Sequence, residues 1–244
     1  MMLVLHKIGK FTMNLLPNKS LFIVTSALHA NIGVVNMQDR VLQTIDTLEN
    51  LKQKVPDALI LFVDGSPHNI DEDIKKKISE YCQTIWFNTH PDIYAMASSG
   101  RKSEAEIIML FNTLIQIKQS KVLSEVKRIF KYSARTVLED EFDISAYDNL
   151  FGKYVFKKAI PSWMPQERKT NITNHLYITR MFSFCPSLID NYLQTLQSIL
   201  NNVITHGIDT EHAHYMCLNK KYVIEFDNLH CAGIVAGSGQ TERY

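Results

Sequence analysis

The sequence predicts an α/β fold with a mostly parallel central sheet flanked by helices, and three observations carry that expectation. Two short apolar, partly β-branched runs, Leu21-Phe22-Ile23-Val24-Thr25 and Ala58-Leu59-Ile60-Leu61-Phe62-Val63, have the character of strands buried on both faces. Between them Val41, Ile45, Leu48, Leu51 and Val55 recur every three or four residues, which puts them on one face of a helix. The second run closes on Asp64-Gly65-Ser66-Pro67, four residues with strong turn chemistry. Strand, helix and strand in that order make a βαβ unit, whose two strands run parallel.

The remaining elements follow along the chain. Pro56 stops the first helix, because it has no N–H to continue the ladder. A charged helix is expected over 71–81, with Asp71, Glu72 and Asp73 in the first turn, where the helix dipole favours acids. A third strand is expected over 84–87. The small-residue stretch 90–102 reads as a loop. Ser103 then opens a long, mostly buried helix as its N-cap, with Glu106 as the capping-box partner. Strand four is expected over 128–133, followed by an acidic turn over 139–143.

Further strands are expected over 153–156 and 175–184, joined by a polar segment, 162–174, that reads as a mobile loop. Pro186 or Ser187 starts a helix with Leu188, Tyr192, Leu196, Ile199 and Val203 along one face, and Gly207 ends it. A shorter helix over 209–218, a strand over 222–226 and a glycine-rich tail over 233–244 complete the chain. There is no internal repeat, and the one plausible boundary is near residue 150. The expectation is a single domain over 1–244.

Composition narrows the class without naming a partner. A chain of 244 residues buries roughly two-thirds to three-quarters of its unfolded surface. Hydrophobic residues make up 45%, charged residues 21%, and the net charge is +1, so no charge excess draws the chain to nucleic acid or to an anionic bilayer. Cys82, Cys185, Cys217 and Cys231 are far apart and form no Cys-x-x-Cys, so they are expected as reduced thiols in a cytoplasmic protein. The first residues lack the apolar run of a signal peptide. No stretch reaches the roughly 20 apolar residues of a transmembrane segment.

In a mostly parallel sheet, ligands bind outside the carboxyl ends of the strands. That directs attention to Thr25, Ser26, Asp64, Gly65, Ser66, Ser133 and Arg135. The Asp64 carboxylate either accepts hydrogen bonds from a ribose or base edge, or caps its own turn. Arg101 and Lys102 stand beside a helix N-terminus, which already favours an anion, although a solvated loop has the same composition. Arg135 offers a planar fork to a phosphate, or pairs with Glu139 or Asp140.

Acidic clusters at 71–73 and 139–141 have the hard oxygens that magnesium or manganese takes, yet the first is better explained as a helix N-terminus and the second as a polar turn. Asp140 and His230 are the candidate metal ligands. In Asp209-Thr210-Glu211-His212-Ala213-His214, Glu211 is a candidate general base, while the two histidines are two apart and point in different directions from a helix.

Taken together these segments resemble the GT-A-type, family-2-like glycosyltransferases, and more narrowly the small viral and bacterial sugar transferases of that fold. The resemblance is carried by Phe22 to Ser26, by Arg40 with Gln43, Thr44 and Ile45, by Leu61 to Ser66, by Lys131-Tyr132-Ser133-Ala134-Arg135, and by the run from Glu211 to Leu218 with the strand Val223-Ile224-Glu225 after it. It implies a Rossmann-like GT-A fold with a nucleotide-binding half over about 20–150 and an acceptor-side half over about 151–244. It implies transfer of a sugar from a nucleotide-diphosphate sugar to a glycan or other hydroxyl acceptor. Thr25, Ser26 and Asp64 would hold the nucleoside, and Glu211 would be the base toward the acceptor hydroxyl. Arg40, Lys102, Ser133 and Arg135 would lie on the donor side.

The family's Asp-x-Asp, which holds manganese or magnesium, is replaced here by Ser133-Ala134-Arg135, and this puts metal dependence in doubt. Two alternatives stay open. One is an inactive module that binds a nucleotide-sugar or glycan. The other is a sugar-phosphate nucleotidyltransferase, against which stands the lack of a Gly-x-Gly-x-Arg loop after Ser26.

Overall fold

A computed structural model describes residues 19–30, 34–87, 89–165, 172–234 and 239–244. The expectations for the first ten residues, and parts of those for the loop after Ser26, the segment 162–174 and the tail, fall outside them. The chain opens with β1 (Lys19–Ser26), α1 (Met37–Lys54), β2 (Leu59–Asp64), α2 (Glu72–Ser79) and β3 (Gln83–Trp86). β1 and β2 pair in parallel from Leu21 opposite Leu59 to Ser26 opposite Asp64, so both strands end at the same level. α1 is capped by Asn36, whose side chain accepts from the Asp39 N–H.

Residues 91–98, expected as loop, instead form α3 (Pro91–Ser98). Pro91 sits at the start, where its missing N–H costs nothing, and Ile93 is buried. The next helix, α4 (Lys102–Gln119), starts one residue before the expected Ser103, and its N-cap, Arg101, makes no side-chain capping bond. The capping box is therefore not formed. Glu106 is drawn instead to Lys131, 2.7 Å away, on β4 (Val126–Ser133).

β5 (Thr136–Leu138), β6 (Tyr154–Lys157) and β7 (Ile160–Pro161) follow. The strand expected over 175–184 is two pieces, β8 (His175–Leu176) and β9 (Met181–Phe184), which belong to different sheets. α5 (Ile189–His206) buries Tyr192, Leu196, Ile199 and Val203, and stops at Gly207 in the left-handed conformation, φ 59°. That backbone is open to glycine at little cost. α6 (Thr210–Cys217) is capped by Asp209, and β10 (Val223–Phe226), β11 (Cys231–Ile234) and β12 (Thr241–Arg243) end the chain.

The main sheet runs β10-β6-β9-β4-β1-β2-β3. β4, β1, β2 and β3 are parallel neighbours, and β9 alone runs antiparallel to both of its neighbours. Leu21, Ile23, Leu61 and Val63 pack on one face with residues of α3, α4 and α5, whereas Phe22, Val24, Ile60 and Phe62 pack on the other with α1 and α2. Alternate residues of the same strands thus serve two cores, which is why the runs are apolar throughout. The architecture is α/β and Rossmann-like, with helices on both faces, as the sequence predicts. Among the described residues no helix is long and apolar enough to cross a membrane.

Candidate functional site

A cavity of about 180 Å³ opens at the carboxyl ends of β1 and β4, walled on one side by the first turns of α4. Its lining includes Thr25, Ser26, Arg40, Lys102, Ser133 and Arg135, six of the eight residues that sequence reading selected for binding or catalysis. Backbone geometry brings the strand ends together. The Ala134 N–H donates to the Thr25 carbonyl at 3.0 Å, and the Gly65 N–H donates to the Ser26 carbonyl at 3.0 Å. Gly65 lines the cavity where a Cβ would sit 3.1 Å from the Met109 sulfur, so small size is what lets this turn lie against α4.

Asp64 is not part of the lining. It is 1% exposed, and its two carboxylate oxygens accept the Ser66 and Leu28 N–H groups, both at 2.9 Å. Of the two readings open at the sequence level, the turn-capping one is the arrangement present. Asp64 also fastens the chain leaving β1, so it shapes the cavity without facing it.

The charge in the cavity is lopsided. Arg40 is 4% exposed, held by bonds from its guanidinium to the Val35 carbonyl at 2.9 Å and the Ala27 carbonyl at 3.0 Å. Burial lowers its pKa, and the Asp64 charge partly offsets that. Lys102, exposed at the rim, is lowered by partial burial and then by Arg40 and Arg135. Arg135 is pushed down to about 10, first by burial and then by Arg40 and Arg180. Neither acid that the sequence offers Arg135 as a partner takes it up: Glu139 bonds to Arg243, and Asp140 to Lys54.

Glu106 is the carboxylate in the lining. Burial opposes its charge, but Lys131 at 2.7 Å holds its carboxyl below the usual range. The same ammonium donates to the Thr179 carbonyl at 2.8 Å. The Thr179 hydroxyl in turn donates to Glu211 at 2.9 Å, and the Thr210 hydroxyl donates to the other Glu211 oxygen at 2.9 Å. Glu211 therefore lies behind the cavity wall, joined to Glu106 through Lys131 and Thr179, on the first turn of α6. Burial, followed by the charges of Asp209 and Glu106, raises its pKa. A raised carboxyl pKa is what a general base working near neutrality needs.

Glu106, Lys131 and Arg180 were not selected from sequence. Lys131 and Arg180 carry no local signal, because their meeting with α4 and the end of β4 is made by strand pairing. Glu106 had a visible signal, but the capping pattern explained it away.

The two histidines of α6 are not a metal pair. His212 accepts or donates between Asp209 at 2.5 Å and the Ser162 hydroxyl at 2.7 Å, and His214 spans the Thr210 carbonyl at 2.7 Å and the Tyr192 hydroxyl at 2.9 Å. Asp140 pairs with Lys54 and is not among the acids grouped with His230. His230 is grouped with Glu139 and Glu141, their ligand atoms within 4.8 Å of one another, away from the cavity lining. All four cysteines are free thiols.

No protein-family model matches the chain, and no curated protein matches it. Among solved structures it is similar to core-mannan synthase A of Aspergillus fumigatus in a manganese and GDP form, at 9% identity and a TM-score of 0.49, over 90% of this chain and 80% of that one. A glycosyltransferase involved in glycosylation of the major capsid of the virus PBCV-1 is similar at 8% identity and 0.45, over 86% and 81%. A 4-diphosphocytidyl-2C-methyl-D-erythritol synthase from Anaerococcus prevotii is similar at 14% identity and 0.44, over 86% of each chain.

Proposed function

We propose that the protein is a glycosyltransferase of the GT-A type, which moves a sugar from a nucleotide-diphosphate sugar to the hydroxyl of a glycan or other acceptor. The observation that carries this reading is the cavity at the carboxyl ends of β1 and β4, where Thr25, Ser26 and Ser133 supply hydroxyls beside Arg40, Lys102 and Arg135. Hydroxyls suit a ribose or base edge, and clustered cations suit a diphosphate. The resemblance in residue order, from Phe22 through Arg135 to Glu211, supports the same reading.

In this mechanism the acceptor oxygen attacks the anomeric carbon and forms the new glycosidic bond as the bond to the diphosphate oxygen breaks. The electron pair leaves with the nucleoside diphosphate, whose growing negative charge the cations stabilise. The proton of the acceptor hydroxyl passes to Glu211, which its two threonine hydroxyls hold in one orientation. Asp64 positions the loop after β1 rather than touching the donor.

A thermal-shift panel of UDP-, GDP-, CMP- and TDP-sugars, followed by an assay for nucleotide release, tests the proposal. A ligand present at a hundred times its dissociation constant adds about 2.7 kcal/mol of stability. One nucleotide-sugar class should raise the melting temperature and be consumed in the presence of an acceptor. No shift and no release with any of them overturns the reading.

A further inference from the structure

A divalent cation at the donor diphosphate needs several hard oxygen ligands converging on one point, with magnesium taking six in an octahedron. The cavity does not fit that demand. The end of β4 offers Ser133, Ala134 and Arg135, and the carboxylate in the lining, Glu106, is already engaged by Lys131 at 2.7 Å. The grouped acids Glu139 and Glu141 lie elsewhere.

What the cavity has instead is positive charge in excess of its acids. Arg40, Lys102 and Arg135 line it together, and the latter two are depressed by burial first and then by the charge of their neighbours. Arg180, outside the lining, adds its charge to the field at Arg135. Like charges held this close repel, and an anion among them relieves the repulsion. One nitrogen of the Arg135 guanidinium, Nη1, is buried with no hydrogen-bond partner among the described residues. A buried, charged donor left in that state costs free energy that a bound acceptor recovers. α4 points in the same direction: its 18 residues begin at Lys102 on the cavity wall, and its N-cap, Arg101, makes no side-chain capping bond. Cations, an unpartnered guanidinium nitrogen and an uncapped helix start thus converge on one volume.

We infer that this cavity binds the diphosphate of the donor through Arg40, Lys102 and Arg135 with the start of α4, without a divalent cation. The inference rests on the proposed function for its identification of the diphosphate as a donor's, while binding of the diphosphate group itself is separately measurable.

The test is calorimetric titration of the full chain with inorganic pyrophosphate and with UDP, in EDTA and again with manganese in excess. Binding should be present in EDTA, and Lys102→Gln and Arg135→Gln should each weaken it roughly tenfold or more, the loss expected for one charge-assisted hydrogen bond. Lys102 is exposed at the rim, so that variant keeps its fold even where Arg135→Gln does not. Binding that appears only after manganese is added overturns the inference, as does wild-type affinity in Lys102→Gln. Pyrophosphate binding in EDTA with no transfer from any nucleotide-sugar leaves the inference standing and overturns the proposed function. Manganese-dependent transfer does the reverse.

Discussion

The Lys131 ammonium sits 2.7 Å from the Glu106 carboxylate, joining the middle of the sheet to the first turns of α4. Lys131 is buried, and its other partner is the Thr179 carbonyl at 2.8 Å. It is thus bonded both to the cavity wall and to the residue whose hydroxyl orients Glu211. Lys131→Met should cost stability near the lower end of the roughly 3–5 kcal/mol seen when a buried pair loses one partner. The lower end applies because the Glu106 side chain remains 36% exposed and stays partly solvated. Urea denaturation of the variant measures this, and a change under about 1 kcal/mol would mean that Glu106 does not depend on the lysine.

Asp64 makes a second prediction. Its carboxylate is the acceptor for two N–H groups, those of Leu28 and Ser66, and it is almost wholly buried. Asp64→Ala leaves both donors unpaired and should destabilise by about 2–4 kcal/mol, at 1–3 for each lost partner with some relaxation. Asp64→Asn keeps one acceptor oxygen and should lose about half as much. Chemical denaturation of the pair, read alongside nucleotide affinity, separates a positioning role from direct contact: stability should fall in both variants, and affinity should follow loop disorder rather than the charge.

His214 is 3% exposed and burial lowers its pKa to about 4, with its rings' two nitrogens already engaged by Thr210 and Tyr192. The folded value lies below the unfolded one, so the neutral ring is favoured by folding. Its contribution is fully present above the unfolded pKa, near 6.5, and is lost as pH falls toward about 4. The loss amounts to roughly 3 kcal/mol across that window. Denaturant midpoints at pH 7 and pH 4 should therefore converge in His214→Gln relative to the parent chain, after the shared acid dependence is subtracted.

Glu211 titrates with the opposite sign to a salt-bridged carboxylate. Because burial raises its folded pKa, its contribution to stability is present below the unfolded value and declines as pH rises through the folded one. Glu211→Gln should flatten that decline and raise stability at neutral pH. The same variant should abolish sugar transfer while leaving donor affinity nearly intact, and the rate of the parent chain should climb with pH as the carboxyl ionises. Transfer that persists in Glu211→Gln removes it from the role of base.

The sheet was legible because β1 and β2 are apolar at consecutive positions, the pattern of a strand covered on both faces. α3 escaped notice because its eight residues, Pro91-Asp92-Ile93-Tyr94-Ala95-Met96-Ala97-Ser98, carry one buried anchor, too few to show a period. The short strands β5, β11 and β12 give no alternation long enough to read, and they exist through pairing with each other. The cationic wall was partly visible, since Arg40, Lys102 and Arg135 stand out as charges near strand and helix ends. Glu106 was not, because a glutamate three residues after a serine at a helix start satisfies a local rule. Its real partner lies 25 positions away on β4, as Lys131, and only the packing of α4 on the sheet brings the two together.

β9 is the one strand of the main sheet that runs against its neighbours, and its direction governs how the cavity is inherited. A strand entering from the opposite end delivers the residues that precede it to the carboxyl end of β4. Thr179 and Arg180 arrive there, and the Arg180 carbonyl accepts the Ser133 N–H at 2.8 Å. The part of the chain up to about residue 150 would keep Arg40, with the Val35 and Ala27 carbonyls that hold it, together with Lys102 and Arg135, but would forfeit Thr179 and Arg180. Transplanting residues up to about 150 onto another scaffold would therefore carry over the three cations while Lys131 loses the Thr179 carbonyl and the Ser133 N–H loses the Arg180 carbonyl. Lys102, on the rim, can be replaced without disturbing the sheet, whereas β4 and β9 share a backbone ladder and must change in concert.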